Sequence, residues 1–292
     1  MRSCLHVETQ DSEPDHATTD EGSDANEPTT LEHDGVLRLG RYPIVRKLGE
    51  GGMGIVYACY DEALDRRIAI KLLNSRFQRR SSRTRLEREA QALARLSHPN
   101  VVHIYEFGLH GDSLYLAMEY IDGQTLREWL RGSDRRWREI AEVLVQAGRG
   151  LAAAHAAGLV HRDFKPDNVM VGRDGRVRVL DFGLVRVLQE TASDLDDEPE
   201  HSPGPSEPWL TRPGTILGTP AYMAPEQHAG RPSDAKADQF AWCVVAYEAM
   251  FGVRPFAGSS AEAIAEAIRA GRWQTGEDRL GVPRRVRAAI VR

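Results

Sequence analysis

His161-Arg162-Asp163-Phe164-Lys165-Pro166-Asp167-Asn168 packs two carboxylates, an ammonium and a neutral amide into eight residues around a proline. Downstream comes Asp181-Phe182-Gly183, and upstream Ile68-Ala69-Ile70-Lys71, an apolar strand pattern ending on a lysine. Earlier still lies Gly49-Glu50-Gly51-Gly52-Met53-Gly54-Ile55-Val56, and Ala224-Pro225-Glu226 follows all of them. One such string could be chance; five in this order could hardly be.

Each string supplies a part that transfer of a γ-phosphoryl from ATP requires. Gly49, Gly51 and Gly54 let a hairpin approach phosphates, because no Cβ intervenes. The same spacing occurs in dinucleotide-binding turns, but here the glycines are expected between two antiparallel strands, with no helix opening after Gly54. Val56 and Ala69 are then placed to cover an adenine. Lys71 ends an apolar strand, where an unpaired ammonium is costly, so it needs anions. Glu89 is the expected carboxylate partner: it shares a helix face with Leu86, Leu93 and Leu96, whereas Glu87 lies about 200° around the helix. Asp163 can orient a substrate hydroxyl and Lys165 can neutralise the moving phosphoryl. Asn168 and Asp181 offer the oxygens that Mg²⁺ prefers. His161 reads as a packing and hydrogen-bonding residue rather than a base.

The rest of the chain fits a globular enzyme. It has 292 residues, 41% of them hydrophobic, and a formal net charge of −5, a balance that argues against a nucleic-acid binder. Cys4, Cys59 and Cys243 have neither zinc-site spacing nor the density of a disulfide scaffold, which suggests a reducing, cytoplasmic compartment. No run reaches the roughly 18 apolar residues of a membrane span, and no signal peptide is expected.

Residues 1–36 read as a disordered acidic tail, since Asp, Glu, Thr, Ser and Pro dominate them. Strands are expected at 42–48, 54–60, 67–72, 101–107 and 114–120, with a helix at 82–96 between the third and fourth. After Gly123 the pattern turns helical, at 125–130, 137–155, 238–251 and 259–270, the last with Ser259 and Glu262 as a capping box. Residues 188–208, acidic and proline-rich, read as a mobile insert. The expected fold is α+β and bilobal: a small β-rich lobe over 37–121 and a larger helical lobe over 122–292.

These motifs resemble those of serine/threonine protein kinases, most closely the bacterial eukaryotic-like ones, from about Arg41 to Arg292. The resemblance implies ATP and Mg²⁺ as cofactors and protein Ser/Thr hydroxyls as acceptors. It implies catalytic roles for Asp163, Lys165, Lys71 and Glu89, and metal binding by Asn168 and Asp181. Nucleotide would meet Leu48, Gly49, Glu50, Gly51, Gly52, Met53, Gly54, Ile55 and Val56, together with Ala69, Lys71 and the hinge residues Glu119 and Ile121. Met118 looks like the gatekeeper and Asp238 like the support of the catalytic loop. Lys165 and Thr219 look like the serine/threonine pattern. Arg162 beside Asp163 resembles the mark of control by activation-loop phosphorylation, with Thr211 or Thr215 as acceptor and another copy of the chain as partner. The resemblance also implies an incomplete C-lobe, because the family's closing helix, and the arginine that pairs with the glutamate matching Glu226, do not occur by Arg292. Two other readings stay open: a catalytically weak fragment that binds nucleotide or a partner, and a small-molecule phosphotransferase.

Overall fold

The computed structural model describes residues 31–33, 36–74, 92, 94–111, 113–182 and 220–291. The first lobe is an antiparallel sheet of seven strands in the order β1-β2-β3-β4-β5-β7-β6. These are β1 (Leu31–His33), β2 (Val36–Leu39), β3 (Tyr42–Gly51), β4 (Gly54–Asp61), β5 (Arg66–Leu73), β6 (Ile104–His110) and β7 (Ser113–Glu119).

Strand β5 is central and covered on both faces, which explains its nearly unbroken apolar run. Alternation sends Ile68, Ile70 and Leu72 to one face, where they pack with Leu39, Tyr42, Cys59, Tyr115 and Ala117. Ala69 and Leu73 point the other way, into a core that continues through the second lobe, and Lys71 shares their face. Gly54 pairs with Leu73 at φ 144°, and a Cβ there would stand 1.9 Å from the Leu72 carbonyl oxygen. Only glycine fits that approach.

The second lobe begins with α1 (Leu126–Arg131), whose N-terminus is closed by reciprocal bonds between Thr125 and Glu128. Helix α2 (Trp137–Ala156) buries Ile140, Val143, Leu144, Ala147, Leu151 and Ala154 along one face. Opposite lies α4 (Ala235–Phe251), and the Trp242 indole donates to the Leu144 carbonyl at 3.0 Å. The short α3 (Pro225–His228) precedes it; α5 (Ala261–Arg269) and α6 (Arg284–Val291) follow. A three-stranded sheet, order β10-β9-β8, is formed by β8 (Gly123–Thr125), β9 (Val169–Gly172) and β10 (Val177–Val179). The lobes are tied where Val179 N donates to Asn100 O, Val102 N to Val179 O, and Asn100 Nδ2 to Val177 O, at 3.0, 3.0 and 2.8 Å.

The α+β, bilobal expectation is met, and the larger strands and helices fall within a few residues of their expected bounds. Three details differ. Paired strands begin at Leu31, not near residue 37, because Leu31–His33 adds to the sheet edge through main-chain pairing, which asks little of side-chain composition. The β8–β10 sheet was not anticipated, since strands of three or four residues are too short to show a period. Helix α5 is capped by Ser260, whose hydroxyl accepts from Ala263 N, rather than by Ser259. The insert 188–208, most of the helix expected at 82–96, and residues 1–30 of the acidic tail lie outside the described residues.

Candidate active site

The site lies where β3–β5 and the hinge after β7 face the loop between α2 and β9. The hairpin of Leu48, Gly49, Glu50, Gly51, Gly52, Met53, Gly54, Ile55 and Val56 runs through β3 and β4, with Gly49 opposite Val56 and Gly51 opposite Gly54. Asn74 pins its tip, donating from Nδ2 to Gly52 O at 3.1 Å and from its amide to Met53 O at 3.2 Å. A Cβ at Gly49 or Gly51 would meet no atom within 4 Å. The fold itself therefore needs glycine at 54 but not at 49 or 51.

Val56 pairs with Lys71, and Ala69 with Met118, so these side chains line one face of adjoining strands. At the hinge, the Glu119 amide is committed to His103 O at 2.9 Å. Neither polar group of the Ile121 backbone has a partner among the described residues.

Lys71 is 5% exposed, and its Nζ meets Asp181 Oδ2 at 2.8 Å, with Met53 Sδ at 3.9 Å. Asp181 adopts φ 56°, a left-handed conformation that turns its carboxylate toward Lys71. Burial pushes the Asp181 carboxyl up, but the Lys71 ammonium, with further help from His161 and Lys165, outweighs this and holds it below the usual carboxylate range. Glu89 lies outside the described residues, as do Thr211, Thr215, Thr219 and Gly183.

The loop 161–168 is organised from beneath. Asp238, at the start of α4 and 1% exposed, accepts from the amides of His161 and Arg162 at 2.7 Å each and contacts His155 Nε2 at 2.7 Å. Burial raises its carboxyl, while the His155 contact and the two amides pull it lower, and the balance is a carboxyl below its ordinary value. Arg162 is held at φ 65°. His161 is fully buried between Phe164 and Phe182, with ring centroids 5.8 and 4.8 Å away, which bears out its packing role.

Above this base, Lys165 Nζ stands 2.6 Å from Asp163 Oδ2. Asn168 Nδ2 donates to Asp163 O at 2.8 Å and to Oδ2 at 3.2 Å. The side-chain oxygen of Asn168 is thereby turned away from Asp163. Asp163 Oδ1 has no donor among the described residues. The proline turn thus brings Asp163, Lys165 and Asn168 together, and Leu180 N donates to Asn168 O at 2.9 Å, which sets the strand carrying Asp181 alongside.

Sequence reasoning left several residues unassigned. Arg178, 5% exposed on β10, forks Asp174 at 2.9 Å on each nitrogen and reaches Glu119 Oε1 at 2.8 Å, linking the hinge to the strand that leads to Asp181. Its place three residues before Asp181 was the one available signal. Arg127 pairs with Asp167 and reaches Tyr222, which in turn bonds Glu248, and nothing in their spacing announces this chain of contacts. Gln227 Nε2 donates to Arg162 O at 2.8 Å from the far side of the loop.

The fold thus pairs a lysine from the sheet with an aspartate below it, beside an ordered Asp-Lys-Asn loop. Residues 42–284 match the protein kinase domain family, and the chain belongs to it. The serine/threonine-protein kinase PknA of Mycobacterium tuberculosis is 37% identical over 240 residues, covering 79% of this chain and 51% of that protein. Pkn3 of Myxococcus xanthus is 37% identical over 245 residues (80% and 42%), and PrkC of Bacillus subtilis 35% over 242 residues (80% and 35%). The resemblance to bacterial eukaryotic-like serine/threonine kinases is borne out. The chain spans about half the length of PknA and less of the other two. Among the described residues no helix is long and apolar enough to cross a membrane.

Proposed function

We propose that the chain is a serine/threonine protein kinase that transfers the γ-phosphoryl of ATP, with Mg²⁺, to protein hydroxyls. The observation that carries this reading is the convergence of Lys71 and Asp181 at 2.8 Å with the Asp163–Lys165–Asn168 cluster. Gly49 and Gly51 support it, because the space above them is open and the fold does not itself demand glycine there. The backbone of Ile121, without a partner among the described residues, suits an adenine edge, and Ala69, Val56 and Met118 would supply apolar cover for the ring.

Asp163 would take the proton of the acceptor hydroxyl while its oxygen attacks phosphorus and the bond to the β-phosphate oxygen breaks. Lys165, already beside that carboxylate, would stabilise the oxygens of the phosphoryl in flight. Lys71 would meet the phosphates of ATP, with Glu89 as its second anionic partner. Asn168 and Asp181 fit a hard cation through their oxygens. Among the described residues no three His, Cys, Asp or Glu side chains form a metal cage, yet Mg²⁺ is usually held by one or two carboxylates plus substrate phosphates. When bound, Mg²⁺ would neutralise charge on the phosphate oxygens.

Control by phosphorylation of Thr211 or Thr215, by a second copy of the chain, is part of this proposal and is supported by Arg162 adjoining Asp163. A reducing, cytoplasmic setting agrees with the free Cys59 and Cys243. The acidic net charge agrees with protein acceptors rather than nucleic acid.

The test is incorporation of γ-labelled phosphate from Mg-ATP into the chain itself and a basic protein acceptor, with Asp163→Asn as control. Label in the wild type alone supports the proposal; equal label in the variant refutes it. Stabilisation by Mg-ATP without turnover would favour a nucleotide-binding fragment instead, and transfer only to small molecules a phosphotransferase of another class.

A further inference from the structure

Arg127 lies in the first turn of α1, next to Leu126, which is fully buried and anchors the helix. Its guanidinium forks Asp167, Nε to Oδ1 at 2.7 Å and Nη2 to Oδ2 at 2.8 Å. Nη2 also donates to the Tyr222 hydroxyl at 3.1 Å, and that hydroxyl donates its own proton to Glu248 Oε2 at 2.5 Å. One side chain therefore joins four elements: α1, the turn Pro166–Asn168, the turn Pro220–Tyr222 and, through the phenol, α4.

The directions of these bonds are mutually consistent only with neutral Tyr222, whose oxygen accepts from Arg127 while its proton goes to Glu248. Burial first, and the bond to Glu248 second, push the Tyr222 phenol up to about 12, so it stays neutral across the working range. Asp167 is held below its usual value chiefly by the Arg127 fork.

Asp167 stands two residues after Lys165 and one before Asn168. The loop is thus held at its start, where Asp238 takes the amides of His161 and Arg162, and at its end, where Arg127 takes Asp167. Asp163 and Lys165 lie between these two anchors. Side-chain exposures of 27% for Arg127 and 44% for Asp167 mean that the ion pair contributes little to global stability. Its two-point geometry fixes orientation, which a lysine cannot reproduce.

We propose that Arg127 is a positioning residue for phosphoryl transfer, fixing the catalytic loop through Asp167 and aligning it with the turn that ends at Tyr222. As a statement about transfer this rests on the kinase reading above; as a statement about loop order it does not. Arg127→Gln and Arg127→Lys are expected to lower kcat toward a mixed histone acceptor about 10-fold or more, since displacements near 1 Å can cost up to about 100-fold. KM for ATP should stay within about twofold, because the nucleotide residues lie on other elements. Asp167→Asn should behave alike, and combining it with Arg127→Gln should add almost nothing. Amide exchange over 161–168 should quicken in Arg127→Gln while the melting temperature holds within a few degrees.

Full kcat in Arg127→Lys, additive losses in the double variant, or unchanged exchange over 161–168 would each overturn the proposal. A wild type without phosphotransfer but with quickened exchange in the variant would keep the loop anchor and remove the kinase reading instead.

Discussion

Asp238 offers the sharpest test of how the loop is built. It is 1% exposed and accepts two backbone amides, from His161 and Arg162, at 2.7 Å. Replacing it with alanine leaves those donors without their acceptor, at a cost of about 1–3 kcal/mol for each one left buried, or about 2–6 kcal/mol in all. Set against a net stability of ~5–15 kcal/mol, that is a large share. Asparagine keeps the shape but turns an N–H toward one of the amides, so about half the loss is expected. Arg162, released from φ 65°, should relax and carry Asp163 with it. The assay is urea unfolding of wild type, Asp238→Asn and Asp238→Ala, with phosphotransfer measured in parallel. Losses below about 1 kcal/mol in the alanine variant, or full activity in a folded variant, would refute the reasoning. The pH dependence has a defined sign. The folded carboxyl lies below its ordinary value of 3.8, so its stabilisation is present above that value and fades as pH falls through the folded pKa. Acid unfolding of Asp238→Asn should lack this component.

The glycine hairpin separates fold from function. Gly51→Ala should leave the melting temperature nearly unchanged yet weaken stabilisation by Mg-ATP, whereas Gly54→Ala should lower stability by about 1–3 kcal/mol or more through its clash with Leu72; equal melting curves would contradict the second claim. At the hinge, Glu119→Ala and Asp174→Ala share the buried partner Arg178, so a double-mutant cycle should give a coupling of about 0.5–3 kcal/mol rather than additivity. Burial pushes the Cys59 thiol up to about 12, so it should resist thiol reagents until the protein unfolds, as a native-state labelling time course would reveal.

Much of the site was legible because its parts are local. Gly49 to Val56 is one hairpin, Asp163 to Asn168 one turn, and neither needs knowledge of distant segments. The strands were legible too, since Ile68 to Leu72 is apolar enough to be read as central. Asp238 was assigned through resemblance, but its bonds to the His161 and Arg162 amides join positions more than 70 residues apart.

Local order of residue types, through proline, glycine and period-two hydrophobicity, settled the bilobal class and the identity of the polar groups in the loop. Only tertiary structure decided that Lys71 faces Asp181, that Arg178 bridges Glu119 and Asp174, and that Arg127 closes on Asp167 and Tyr222. The reason is physical: a charged side chain announces that it needs a partner, while its choice among distant carboxylates depends on which backbones the buried core brings within about 3 Å.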